Sequence, residues 1–158
     1  MSISLKSKND IEKMKIAGNH AAKVLEYLED FVQVGISTEE IDNLAYKYIT
    51  EELKCIPANV GYNDYPKTLC TSINDVICHG IPDDRVLVEG DIVNCDVTVY
   101  IDGMHGDCSE TVFVGRPDPE AIRLVRVTYD CMMKGIEAAK VGRTLNEIGK
   151  AITRIAHK

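Results

Sequence analysis

An Asp-Gly pair at 102–103 lies in the middle of IVNCDVTVYIDGMHGDCSETVF, a run in which apolar and polar residues alternate on both sides. Asp-Gly tolerates the two consecutive left-handed conformations of a two-residue hairpin turn, and alternation of period two is the signature of a half-buried strand. With the turn placed there, residues whose numbers sum to 205 face one another: Ile101 with Met104, Tyr100 with His105, Thr98 with Asp107, Asp96 with Ser109. One face then carries Val93, Cys95, Val97, Val99, Ile101, Met104 and Cys108 and faces a core. The other carries Asn94, Asp96, Thr98, Tyr100, His105, Asp107, Ser109 and Thr111.

On that polar face Asp96 and Asp107 sit diagonally, with Cβ atoms roughly 7 Å apart or less. Two carboxylates so placed can reach a shared pair of divalent cations spaced about 3.5–4 Å. The alternative is an ordinary solvated side of an antiparallel hairpin. These residues alone leave both readings open, although a buried, uncompensated carboxylate would be costly. His79, in VICHGIPDD, lies where a strand gives way to a turn of Gly and Pro. A histidine there is either structural or, beside a metal, a donor to a scissile carbonyl and the oxyanion it becomes.

Upstream, Ser7 with Asp10 and then Ile11, Met14, Ala17, Ala21, Val24, Leu28 and Phe31 predict a helix that Gly35 stops. Ser37 with Glu40 opens a second, which runs to about Lys54. From Pro57 to Val114 the chain turns to β-branched runs, TLCTSI, VICH, RVLV, IVNCDVTVYI and ETVFV, which predict a sheet. Asp118 caps a third helix with Pro119 at its first position and Ile122, Val125, Tyr129, Met132 and Ile136 as its buried stripe. A fourth begins at Thr144. VGISTEEI at 34–41 and VGRTLNEI at 141–148 share four of eight residues, either as two similarly capped helices or as an internal repeat whose second copy has helices and no sheet.

At 158 residues the chain has the length of one domain. Its net charge of −7, with lysines clustered only at 6, 8, 13 and 15, argues against a general nucleic-acid binder. The six cysteines form no C-x-x-C pair, the opening MSISLKSKND does not read as a leader peptide and no apolar run in these residues is of membrane length, so the expectation is a cytoplasmic chain with most thiols buried and reduced.

The segments GYNDYPKTLCTSINDVICHGIPDD and GDIVNCDVTVYIDGMHGDCS closely resemble the type I methionine aminopeptidases, and the resemblance extends to DIEKMKIAGNHAA and VGRTLNEIG. The first of these segments distinguishes the chain from proline-cleaving relatives that share the metal-binding acids. The resemblance implies the α+β pita-bread fold, two pseudo-symmetric helix–sheet halves around two divalent ions (Co, Mn, Fe or Zn) that activate water. It implies that Asp96 holds one metal and Asp107 bridges both, that His79 contacts the substrate amide, and that Tyr62, Tyr65 and Cys70 line the methionine pocket. It also implies a monovalent cation near Asn74 and Val76. The implied partners are the N-terminal methionine of nascent peptides and, transiently, the ribosome, with no direct sequence-specific nucleic acid and no membrane.

The family's metal set is two Asp, one His and two Glu, and the last three match nothing in these residues; His157 precedes the region of the ligand histidine. The chain is therefore expected to be a single, incomplete pita-bread domain, 1–158, with 1–115 as the first helix–helix–sheet repeat and 116–158 as the helices of the second. Its own activity is left open, and two rival readings are a non-catalytic peptide-binding module and a self-associating half of the same fold.

Overall fold

The computed structural model describes residues 3–157. Ser7 accepts the Asp10 amide while the Asp10 carboxylate reaches back to Ser7, and this reciprocal cap starts α1, Lys8–Glu29. The helix ends before Gly35, the expected stop. After Glu29 the chain turns so that Val32 joins the core, and Gly35, at φ +98°, instead donates its amide to Leu87. Ala17, Ala21, Val24 and Leu28 are buried as the spacing predicts, whereas Ile11 and Met14 are exposed. A second reciprocal cap, Ser37 with Glu40, opens α2, Thr38–Lys47, which continues as one π turn, Tyr48–Glu52, and stops at Lys54 with φ +54°.

Four antiparallel strands follow. They are β1 (Ile56–Pro57), β2 (Leu69–Ile73), β3 (Ile92–Ile101) and β4 (Met104–Phe113). β3 is the central strand: β4 takes one edge along its whole length, while β2 at 93–97 and β1 at 99–100 share the other. The β3–β4 register is the predicted one, Ile101 with Met104 through Asp96 with Ser109, and both turn residues have positive φ. Val93, Cys95, Val97 and Val99 are buried against α1. Each such aliphatic side chain contributes about 1.5–3 kcal/mol by burial, which fixes the opposite face outward. Where α1 crosses β4 the backbones nearly touch, since a Cβ on Gly106 would lie 1.9 Å from the Ala17 carbonyl oxygen. Only glycine fits at that position, between the site residues His105 and Asp107.

Two predicted strands are not strands of the sheet. Residues 83–87 instead run beside the α1–α2 connection, with Gly35 donating to the Leu87 carbonyl, the Leu87 amide donating to Ile36, Thr38 donating to Arg85, and a single bridge from Ser37 to Val86. VICH is irregular because Asn74, two residues before it, and His79, its last residue, both take left-handed φ, which breaks strand geometry at both ends. β2 itself is pinned from α2. The buried carboxylate of Asp42 accepts the amides of Thr68 and Leu69 at 2.7 and 3.2 Å, and burial raises its carboxyl above the ordinary range.

The chain forms two compact units, dividing after Arg116. In the second, Asp118 caps α3 (Pro119–Ala138) as predicted, with Pro119 at its first position. The buried positions of α3 are Cys131 and Gly135, not the predicted stripe, of which Tyr129, Met132 and Ile136 are exposed. The reason is α4 (Asn146–Ala156): Ile148 and Ile152 pack onto the bare backbone at Gly135. α4 starts two residues later than expected and lacks a side-chain cap, because Glu147 pairs with Lys150 rather than reaching back to Thr144.

Thr71, on the core side of β2 opposite Cys95, has a buried hydroxyl with no hydrogen-bond partner among the described residues. A buried unpaired hydroxyl costs about 1–3 kcal/mol, so Thr71→Val is expected to raise stability by roughly 1 kcal/mol in urea denaturation. A loss of stability would mean that the hydroxyl has an internal partner.

Candidate metal centre and peptide pocket

Alternation along β3 and β4 puts Asp96 and Asp107 on the outward face, diagonal across the register, with Ser109 opposite the first and Thr98 opposite the second. Cys70 reaches the same face from the other side, because β2 pairs it with Asp96. The loop after β2 brings His79, held at φ +56°. The 3₁₀ turn Tyr62–Asp64 and the residue after it bring the two tyrosines. Together these six residues line one side of a cavity of about 480 Å³, whose remaining wall includes Asn59, Ile81, Thr98 and His105. Every residue singled out in sequence for metal, amide or methionine contact therefore faces one space. Tyr62 stands at its mouth, 71% exposed, while Tyr65 is half-buried with its hydroxyl 3.1 Å from both the Leu69 and Gly80 carbonyls.

The electrostatics of the cavity are those of a site short of positive charge. Burial raises the Asp96 carboxyl above its ordinary value, the neighbouring Asp107 carboxylate raises it further, and only His79 works in the other direction. Among the described residues neither aspartate has an ion-pair partner. Burial also pushes the Cys70 thiol and the Tyr65 hydroxyl upward, so both stay protonated at neutral pH. Paired carboxylates aimed into a cavity are donors of the kind divalent cations take, and a cation between them would relieve the repulsion that now raises Asp96. The donor type fits, but the number is small: the described residues contain no cluster of three or more His, Cys, Asp or Glu able to hold a metal.

The metal-free protein carries a measurable trace of this. Because folded Asp96 holds its proton more tightly than the unfolded chain does, its contribution to stability falls as pH rises through the folded value and is recovered on acidification. Asp96→Asn is accordingly expected to stabilise the metal-free chain at pH 7 by up to about 1 kcal/mol, with the gain shrinking toward pH 4. Urea titrations of both forms at the two pH values test it. A variant less stable than the parent at pH 7 would contradict it.

Two residues beyond the predicted set belong to the site. Thr98 donates its hydroxyl to the Asp107 carboxylate at 3.1 Å and so orients it, and His105 packs against Tyr100 with ring centroids 4.8 Å apart. Both were on the polar face of the predicted hairpin, and shared face with Asp107 was the signal that could have marked them. Asn74 lies outside the cavity. Its side-chain amide donates to the Asp91 carboxylate at 2.8 Å and its side-chain oxygen accepts the Ile92 amide at 3.0 Å.

Comparison with known proteins gives this arrangement its relatives. Methionine aminopeptidase A of Synechocystis sp. is 53% identical over 95% of this chain, which spans 59% of that protein. The crystal structure of methionine aminopeptidase from Rickettsia prowazekii superposes with a TM-score of 0.96 at 44% identity, over 99% of this chain and 62% of the other. An X-Pro aminopeptidase from Thermotoga maritima shares the fold alone, at 18% identity and a TM-score of 0.81, over 97% of this chain and 41% of the other. The α+β pita-bread architecture is therefore shared with both solved structures, and of the three proteins the two methionine aminopeptidases are the ones with extensive sequence identity. The model of metallopeptidase family M24 matches residues 12–158, nearly the whole length, and the chain belongs to that family.

Proposed function

We propose that this chain supplies the peptide pocket and two metal ligands of a type I methionine aminopeptidase, which removes the initiator methionine from new polypeptides. The observation that carries the reading is the convergence of Asp96, Asp107, His79 and the Tyr65–Cys70 wall on one cavity of about 480 Å³. The identity with aminopeptidases of that specificity supports it. Asp96 would hold one divalent cation and Asp107 would bridge two, whether Co, Mn, Fe or Zn; bound there, they would supply Lewis acidity and activation of water.

The chain's own side chains do the rest. Tyr62, Tyr65 and Cys70 present apolar and polarisable surface to a thioether side chain. His79 donates to the substrate amide and to the oxygen on which charge develops. Thr98 holds the Asp107 carboxylate in one orientation through its hydroxyl. A monovalent cation beside Asn74 and Val76 would brace the loop that carries His79. Residues 1–115 and 116–158 are read as the first repeat and the helices of the second. We place the reaction in the cytoplasm, on nascent chains and transiently at the ribosome. The six free cysteines are in keeping with a reducing compartment, and among the described residues no helix is long and apolar enough to cross a membrane.

Specificity provides the test. A chimera joining this chain to the C-terminal remainder of the Synechocystis relative is expected to favour Met-initiated over Leu-initiated peptides by about tenfold or more in kcat/KM. Equal values for the two would refute the pocket assignment.

A further inference from the structure

A wall for a methionine side chain does not need a hydroxyl, since phenylalanine would offer the same ring and less polarity. Yet the Tyr65 hydroxyl is turned onto main chain, 3.1 Å from the Leu69 carbonyl in β2 and 3.1 Å from the Gly80 carbonyl in the loop beyond it. That loop approaches β2 so closely that a Cβ on Gly80 would lie 2.1 Å from the Thr71 carbonyl oxygen. It is tied down by the Thr71 amide, donating to Gly80 at 2.8 Å, and by the Gly80 amide, donating to the Ser72 hydroxyl at 3.2 Å. His79 immediately precedes it, at φ +56°, a conformation that an L-residue with a side chain leaves unless its neighbours hold it. Tyr65 is itself fixed at its backbone, accepting the Gly61 amide at 2.8 Å and donating to Tyr62 at 3.0 Å.

We propose that Tyr65 is a positioning residue for His79: its hydroxyl bridges β2 and the Gly80 carbonyl and so locks the loop in the conformation that points the imidazole into the cavity. The catalytic consequence rests on His79 meeting the substrate amide, as proposed above, but the lock itself needs neither metal nor peptide. One proton serves two carbonyls, so removing the hydroxyl withdraws a shared donor from both. Gly80 keeps the Thr71 amide, and the loop loosens rather than the domain unfolding.

The experiment uses the full metal-free chain, comparing the parent, Tyr65→Phe and Tyr62→Phe by NMR. The chain has four histidines, so the His79 ring resonance can be assigned with His79→Gln. In Tyr65→Phe the His79 resonance is expected to shift and broaden. Exchange of the Thr71 and Gly80 amides should accelerate about fivefold, as loss of one hydrogen bond requires, while amides of the β3–β4 pairing keep their parent rates. Tyr62→Phe, whose hydroxyl makes no such bridge, is expected to leave all of these unchanged. The proposal is overturned if His79 and the two amides are unaffected by Tyr65→Phe, or if exchange rises equally throughout the sheet, which would make Tyr65 merely structural. Failure of the peptidase reading would appear in the peptide kinetics and leave these spectra as they are.

Discussion

Asp107→Asn in the chimera with the Synechocystis remainder is expected to lower kcat/KM for a methionyl peptide by about a thousandfold. As proposed, the Asp107 carboxylate would help hold both cations, so neutralising it would weaken both at once. Lewis-acid stabilisation of transition-state charge amounts to several kcal/mol, and about 4 kcal/mol corresponds to that factor. Thr98→Val, which removes only the 3.1 Å bond that orients Asp107, should cost about ten- to a hundredfold, as loss of an outer hydrogen bond to a metal ligand does. Steady-state rates at saturating Mn²⁺ separate the two. A Thr98 variant as impaired as Asp107→Asn would mean that the hydroxyl does more than orient the carboxylate.

The second large effect is expected from the 158 residues alone. They present two carboxylates where the family set implied by the resemblance has five ligands, and each missing ligand removes charge neutralisation and preorganised geometry together. Calorimetric titration with Mn²⁺ is expected to give at most weak binding, and a methionyl-peptide assay no turnover above background. Tight binding of two metals with turnover, abolished by either Asp96→Asn or Asp107→Asn, would show instead that two copies complete the site between them.

What the sequence disclosed and what it concealed divide along physical lines. The β3–β4 hairpin was legible to the residue because Asp102-Gly103 has one favoured turn geometry and alternation admits one register, which together put Asp96 and Asp107 on one face. The caps at Ser7, Ser37 and Asp118 were legible because their partners lie within three residues. Contacts between distant segments were not. Nothing local to RVLV says that Leu87 pairs with the α1–α2 connection, and nothing local to α3 says that Gly135, rather than Met132 and Ile136, meets α4. Nothing local to Asp42 says that the amides at the start of β2 rest on its carboxylate. The roles of His79 and of the methionine pocket came from family resemblance. Residue chemistry alone would have left Tyr62 and Tyr65 as packing.

The central claim is that Asp96 and Asp107 together form a metal site facing the His79 pocket. Paramagnetic broadening by Mn²⁺ tests it directly on the chain as it stands, because even a weakly held ion broadens the amide signals around it. With Mn²⁺ added in small increments to the ¹⁵N-labelled protein, broadening is expected first at residues 95–98 and 106–108, then at Cys70 and His79, and it should vanish from this set in the double variant Asp96→Asn, Asp107→Asn. Broadening that begins at other carboxylates while the hairpin face stays sharp, or that persists unchanged in the double variant, would contradict the account.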